Sequence, residues 1–217
     1  MDGNRRWAVS RSLPAWAGHR AGMMNIKKIA AQAFKRGVKI LTIFAFSTEN
    51  WHRRTEEVDY LMALLDRFLN SEITRLAKRG WRIKFFGRRE DFSATLKKGL
   101  AEAERISASG RRGQINVCLS YGGRDEIVRA VKKIVRSGKA ITEIDERFIS
   151  SRLDSAGLPD PDLIIRTSGE RRLSGFLLWQ SAYSELFFVN KYWPDFERED
   201  LDQVLGEYEK RQRRFGE

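Results

Sequence analysis

Cysteine is nearly absent: the 217 residues hold one, Cys118. A single thiol cannot close an internal disulfide, and within "INVCLSY" it reads as a small buried hydrophobe rather than a nucleophile. Histidine is almost as scarce, with only His19 and His52. Neither stands near a second histidine or the cysteine at metal-ligand spacing, which argues against a zinc site. Long apolar runs are missing too, since "ILTIFAF" and "FLLW" fall far short of a membrane span. No signal-peptide pattern precedes the first polar residues, so the protein is expected in the cytoplasm. Neither G-x-x-x-x-G-K-[ST] nor a G-x-G-x-x-G after a strand occurs, which excludes a P-loop NTPase and argues against a dinucleotide fold.

Acidic residues are in the minority, 29 against 41 Lys and Arg, for a formal net charge of +12. Such an excess attracts nucleic acid, anionic membrane or phosphorylated small molecules without choosing among them. A nucleic-acid binder would show a basic stripe with an RNP-like aromatic strand or a recognised module; neither is found, and no nucleic-acid partner is expected.

What the chain does have is two alternating periodicities. "VKILTIFAFS" (38–47), "WRIKFFG" (81–87), "QINVCLSYGG" (114–123) and "DLIIRTSG" (162–169) are β-branched and aromatic runs that predict strands. Between them lie helical stripes: Ile26, Ile29, Ala30, Ala33 and Phe34; Val58 to Leu76; Phe92 to Ala103; and Ile127 to Val135. A charged last helix is expected at roughly 198–213. Strands alternating with helices predict an α/β fold with a mostly parallel central sheet flanked by helices. With no repeat, low-complexity stretch or linker, residues 1–217 are expected to form one domain. In such sheets ligands sit beyond the carboxyl ends of the strands, and polar sequences follow the strands directly.

Three of these clusters carry chemistry. In "IIRTSGERRLSGFLLW", Arg166, Arg171 and Arg172 alternate with Ser168, Ser174 and glycines. Guanidinium forks, hydroxyls and exposed amides suit phosphate oxygens, although a solvated loop reads the same way. In "FAFSTENWHRR", Ser47, Thr48, Glu49 and Asn50 precede Arg53 and Arg54; Trp51 as plain core and Glu49 as a helix-start carboxylate are the bland alternatives. In "MDGNRRWA" and "GHRAG", Asp2 stands beside a glycine, a usual setting for a hard-cation ligand facing phosphate. Arg5, Arg6, His19 and Arg20 would add positive charge, although His19 also suits a helix-start or surface position. No Asp-Asp-x-x-Asp pair occurs, so the two-carboxylate metal chemistry of the helical prenyl synthases is missing.

Taken in order, "MDGNRRWA", "GHRAG", "FAFSTENWHR", "RTSGERRLSGFLLWQSAYSEL", "WPDF" and "RRFG" resemble the motif series of the cis-prenyltransferases, the undecaprenyl diphosphate synthase family, from end to end. The resemblance implies condensation of isopentenyl diphosphate onto an allylic diphosphate, with Z double bonds and magnesium (Mg2+), giving an undecaprenyl-like lipid-carrier precursor. Asp2 matches the catalytic metal-binding aspartate, and Asn50 is counted with it as catalytic. Glu185 matches a second acidic metal contact. Asn4, Arg6, His19 and Arg53 match residues around the allylic diphosphate, and Trp7 and Trp51 match aromatic positions near its chain. Arg166, Arg172 and Ser174 match the isopentenyl diphosphate site; Gly3, Ser47 and Glu49 join the substrate-binding set. Arg214-Phe215-Gly216 matches a C-terminal motif that reaches across a homodimer, and the lipid product implies peripheral contact with membrane. Relatives usually carry an apolar strand before the Met-Asp-Gly-Asn turn, and this chain has none there. An apolar tunnel for the growing chain is expected along the helix of 56–78, with Met62 and Ala63 lining it. A non-catalytic partner subunit of a heteromeric enzyme is the alternative; such subunits lose the aspartate turn and much of the arginine set, whereas Asp2, Arg6, Arg166 and Arg172 are all here.

Overall fold

The structure, a computed structural model, describes residues 1–211. The chain divides into two compact units. The first comprises residues 1–39, 162–172 and 183 onward; the second comprises 40–161 and 173–182.

The second unit is built on three parallel strands, β1 (Ile40–Ser47), β2 (Trp81–Phe86) and β3 (Gly113–Tyr121), in the order β1-β3-β2. Its helices are α3 (Thr55–Lys78), α4 (Ala94–Ser107), α5 (Gly123–Arg136) and the short α6 (Glu146–Ser150). The apolar stripe of α3 buries Val58, Leu65, Leu69, Ile73 and Leu76, and that of α4 buries Leu96, Leu100 and Ala103. Ala63 is a correction to the expected tunnel lining. It is exposed, because at 100° per residue it falls on the side of α3 opposite Leu65. Strand β2 lies at the sheet edge, where unpaired N–H groups invite aggregation. Side chains cap them: Ile83 N–H donates to Ser107 Oγ (3.0 Å) and Phe85 N–H to Glu104 Oε1 (3.0 Å).

Behind β3, the fully buried Cys118 packs with Phe86, Tyr121 and Leu177, as a small hydrophobe would. Burial pushes its thiol well above the ordinary range. Beside it lies Glu126, which is 1% exposed. A buried carboxylate survives only if its lone pairs are used. Here it accepts from Tyr121 Oη–H (2.6 Å), Asp154 N–H (2.8 Å) and Gln180 Nε2 (3.1 Å), which ties segment 173–182 to this core.

The first unit is organised by α2 (Ala15–Lys35), against which α1 (Asn4–Val9) and α7 (Arg198–Lys210) pack, with a two-stranded parallel sheet of β4 (Leu163–Arg166) and β5 (Glu185–Phe188). Helix α2 starts well before the apolar stripe that announced it. Gly18 and Gly22, four residues apart, form the flat face on which α1 rests. A Cβ on Gly18 would lie 1.9 Å from the Asn4 carbonyl oxygen, and one on Gly22 would lie 2.3 Å from Asn4 Oδ1. Gly18→Ala should therefore destabilise the protein by about 1–3 kcal/mol, as overpacking does. A melting temperature within a degree of the parent would contradict that packing. Asn25 and the Gly22 carbonyl complete the contact, through Asn25 Nδ2 to the Trp193 and Phe196 carbonyls (both 2.8 Å) and Trp193 Nε1 to Gly22 O (2.7 Å). Among the described residues no helix is long and apolar enough to cross a membrane.

Candidate active site

The opening turn is anchored at both ends of its backbone. Asp2 N–H donates to Thr167 Oγ1 and that hydroxyl donates back to the Asp2 carbonyl, both at 3.0 Å, while Trp193 N–H donates to the same carbonyl at 3.0 Å. Gly3 then turns the chain with φ +93°. Only glycine fits, since a Cβ would meet the Tyr192 ring at 2.6 Å and Ser168 Cβ at 3.0 Å. Residues 165 positions apart in sequence are thereby brought together at the carboxyl end of β4.

Around this turn carboxylates and guanidinium groups alternate. Asp2 Oδ2 accepts from Arg166 (3.0 Å); its Oδ1 accepts from Gly3 N–H (2.7 Å) and from Arg6 (3.4 Å). Arg6 also donates to Ser168 Oγ (2.6 Å) and Glu170 Oε1 (3.0 Å). Arg172 donates to the other oxygen of Glu170, and Arg166 to the Arg172 carbonyl. Burial pulls the Asp2 carboxyl up, but the hydrogen bonds from Arg166 and Gly3, with the charges of Arg166 and Arg6, outweigh it and hold the group below the ordinary carboxylate range. Glu170 is held low chiefly by Arg172. Asp2 is therefore an anion at neutral pH, and three arginines are concentrated around two carboxylates.

The other candidates of this unit fall nearby or apart. Asn4 opens α1 against Gly18 and Gly22, its Oδ1 buried without a hydrogen-bond partner. His19 is buried inside α2, which removes the surface reading. Trp7 donates to Asp195 Oδ1 (2.7 Å), with the Arg11 guanidinium stacked 4.5 Å from the ring centroid. Glu185 sits opposite Leu163, three ladder positions before the pair Arg166–Phe188, and its carboxylate is paired with Arg211. The motif Arg214-Phe215-Gly216 lies outside the described residues. Thr167 and Asp195 support these candidates structurally, through Asp2 and Trp7, and sequence reasoning missed both; the hydroxyl directly after the strand in "RTSGE" was the available signal for Thr167.

In the second unit, Ser47, Glu49, Asn50, Trp51 and Arg53 cluster at the carboxyl end of β1, in and around a 3₁₀ turn over Thr48–His52. Ser47 N–H donates to Asn50 Oδ1 (3.1 Å) and Arg53 pairs with Glu57 (2.9 Å). Burial would raise the Glu49 carboxyl, but its own backbone N–H, the hydroxyls of Ser47 and Thr48 and the charge of His52 hold it low. Glu49 is thus at least a helix-start carboxylate. Ser174 has φ +48° on the segment tied down by Gln180.

Among the described residues no group of three or more His, Cys, Asp or Glu side chains could hold a metal by itself. The donor set at Asp2, one ionised carboxylate half open to solvent, does not suit a resident all-protein metal. It fits a hard cation that keeps waters and takes its remaining ligands from substrate phosphates, as Mg2+ does.

The family model for undecaprenyl diphosphate synthase, Prenyltransf, matches residues 1–216. The chain belongs to this family. An isoprenyl transferase of Aquifex pyrophilus is 47% identical over all of this chain and 93% of its own length. A ditrans,polycis-undecaprenyl-diphosphate synthase of Legionella pneumophila (strain Paris), described as specific for (2E,6E)-farnesyl diphosphate, is 45% identical over 100% of this chain and 93% of its own. Lavandulyl diphosphate synthase from Lavandula x intermedia, solved with dimethylallyl diphosphate, superposes with a TM-score of 0.96 at 36% identity, covering 100% of this chain and 95% of that one. Like the rest of the undecaprenyl diphosphate synthase family, the protein is a prenyl transferase of the cis-elongating kind.

Proposed function

We propose that the enzyme lengthens an allylic diphosphate by successive Z additions of isopentenyl units, yielding a polyprenyl diphosphate that serves as precursor of a lipid carrier. The observation that carries this reading is the alternation of Asp2 and Glu170 with Arg6, Arg166 and Arg172. Without substrate the carboxylates keep the guanidinium forks aligned and offset most of their charge, leaving the cluster net positive. Diphosphate oxygens can replace them as partners of the same forks.

In each cycle the allylic C–O bond breaks and its electron pair leaves with the diphosphate. The isopentenyl double bond attacks the allylic carbon, and a proton departs as the new Z double bond forms. No nucleophilic side chain is needed. Arg6, assigned to the allylic diphosphate, stands ready to stabilise the departing charge, the largest lever such a site has. Asp2 would hold Mg2+, which supplies Lewis-acid neutralisation of the diphosphate. Arg166 and Arg172 are assigned to isopentenyl diphosphate. Trp51, Arg53, Ser47, Glu49, Asn50 and Ser174, in the second unit, are assigned to substrate on the family resemblance, with Trp51 along the primer's apolar chain. The role of Glu185 as a second metal contact rests on that resemblance too, and its pairing with Arg211 would have to open first.

One family model spanning 1–216 supports treating the chain as a single functional domain. A homodimer completed by the C-terminal motif, and contact with membrane through the product, belong to the same proposal; native mass spectrometry tests the first. For the reaction, labelled isopentenyl diphosphate is incubated with dimethylallyl, geranyl, farnesyl or geranylgeranyl diphosphate and Mg2+, and products are resolved by length and geometry. Long linear Z products are expected, with farnesyl diphosphate the first primer to try, given the Legionella relative's description. A lavandulyl diphosphate product would instead align the enzyme with its lavender neighbour. No turnover with any primer would favour the non-catalytic subunit.

A further inference from the structure

The Trp51 indole is held more firmly than packing alone requires. Its ring meets Phe46 edge-on at 5.0 Å between centroids and Phe92 at a tilt at 5.8 Å. Its Nε1–H donates to Ser120 Oγ at 2.8 Å, and Ser120 Oγ–H donates in turn to Asp91 Oδ2. The direction of this relay is fixed. An indole N–H can only donate and an ionised carboxylate can only accept, so the hydroxyl must point its proton at Asp91 and its lone pair at Trp51. The charge at the far end strengthens both links.

The middle of the relay is strained. Ser120 is wholly buried with φ +45°, a conformation that non-glycine residues seldom adopt and that surrounding structure must impose. That structure is the turn after β2. Gly87 passes so close to the end of β3 that a Cβ would lie 2.0 Å from the Leu119 carbonyl oxygen. Arg88 N–H donates to the Ser120 carbonyl at 3.1 Å, and the Arg88 guanidinium pairs with Asp91 at 3.4 Å. Trp51 is nonetheless only half-buried, so part of its ring is not spent on packing. A fixed ring plane at the carboxyl end of β1 is what this arrangement provides.

We infer that Ser120 and Asp91 are positioning residues that set the plane of the Trp51 indole, and through it the enzyme's hold on the apolar chain of the allylic primer. The inference rests on the reading of Trp51 given under Proposed function.

Ser120→Gly is the informative variant, because glycine accepts the positive φ while losing the hydroxyl. With farnesyl diphosphate as primer, its KM should rise about three- to tenfold, the loss of one or two hydrogen bonds. The KM for isopentenyl diphosphate and kcat should stay within about twofold. Trp51→Phe should raise the primer KM by itself, and adding Ser120→Gly to it should change nothing further, which is the signature of action through one ring. The tryptophan emission difference caused by Ser120→Gly should vanish in the Trp51→Phe background. Asp91→Leu should reproduce the Ser120→Gly shift, and Asp91→Asn, which keeps an acceptor oxygen, should restore most of it. A raised primer KM in Trp51→Phe with none in Ser120→Gly overturns the inference and leaves the reading of Trp51 standing. Equal losses in kcat and both KM values, in either background, also overturn it, since they mark a general structural defect. An unchanged primer KM in Trp51→Phe overturns the reading of Trp51 and the inference with it.

Discussion

Replacing Asp2 with alanine is expected to slow isopentenyl addition by about 10²–10³, the usual consequence of removing one electrostatic stabiliser from a site where charge develops. The carboxylate is bound by the Gly3 N–H, Arg166 and Arg6, so its loss leaves two guanidinium groups without their anion. Both lie near solvent or other partners, and the opening turn keeps its backbone anchors at Thr167 and Trp193. The variant should therefore fold, with a small fall in melting temperature. Asp2→Asn sharpens the test, because it keeps an acceptor for Gly3 and removes only the charge; it should be nearly as slow. Turnover close to the parent's at saturating Mg2+ in either variant would remove Asp2 from the reaction.

The second large effect is expected at Arg172. Its side chain meets Glu170 and extends into solvent, whereas Arg166 holds Asp2 and the Arg172 carbonyl at once. Arg166→Ala would thus disturb the whole cluster, and Arg172→Ala isolates one phosphate contact. Charge-assisted hydrogen bonds are each worth about 1.5–3 kcal/mol, roughly a ten- to hundredfold change. Arg172→Ala should raise the KM for isopentenyl diphosphate by that much and leave the primer KM nearly alone. A rise confined to the primer would exchange the two subsites.

Much of this architecture was legible in the sequence because the signals were local. β1, β2, β3 and β4 are compact apolar runs, and the structure begins and ends each within a few residues of the pattern. β5 was missed. "ELFF" is four residues long, directly follows a polar segment and buries only Phe187 well, so no periodicity can accumulate. The start of α2 was missed for another reason: Gly18 and Gly22 lower helix propensity, and what they provide is room for α1, a partner that sequence spacing does not show. Ala63 misled in the opposite way, as a small residue beside an apolar stripe that the helical angle places outside it.

The site divides along the same line. The rule that ligands lie past the carboxyl ends of parallel strands singled out the polar stretches after β1 and β4. That Asp2 would meet Arg166 could not come from spacing, since a turn fixed by Thr167 and Gly3 makes the encounter. "SYGGRDE" shows the limit of the strand-end rule. It follows β3 as a ligand-binding loop would, yet its Glu126 is spent inside the core on Tyr121, Gln180 and Asp154, and its Ser120 on Trp51.

The central claim is that the carboxylate–arginine cluster around Asp2 is a diphosphate site whose internal ion pairs yield to substrate. A crystal structure of the parent enzyme with Mg2+, isopentenyl diphosphate and a non-ionising thiodiphosphate analogue of the primer tests it most directly. The account predicts diphosphate oxygens on Arg6, Arg166 and Arg172, the Asp2 carboxylate turned to the metal, and the Asp2–Arg166 and Arg172–Glu170 pairs opened. Both diphosphates bound elsewhere, with those two ion pairs intact, would contradict it.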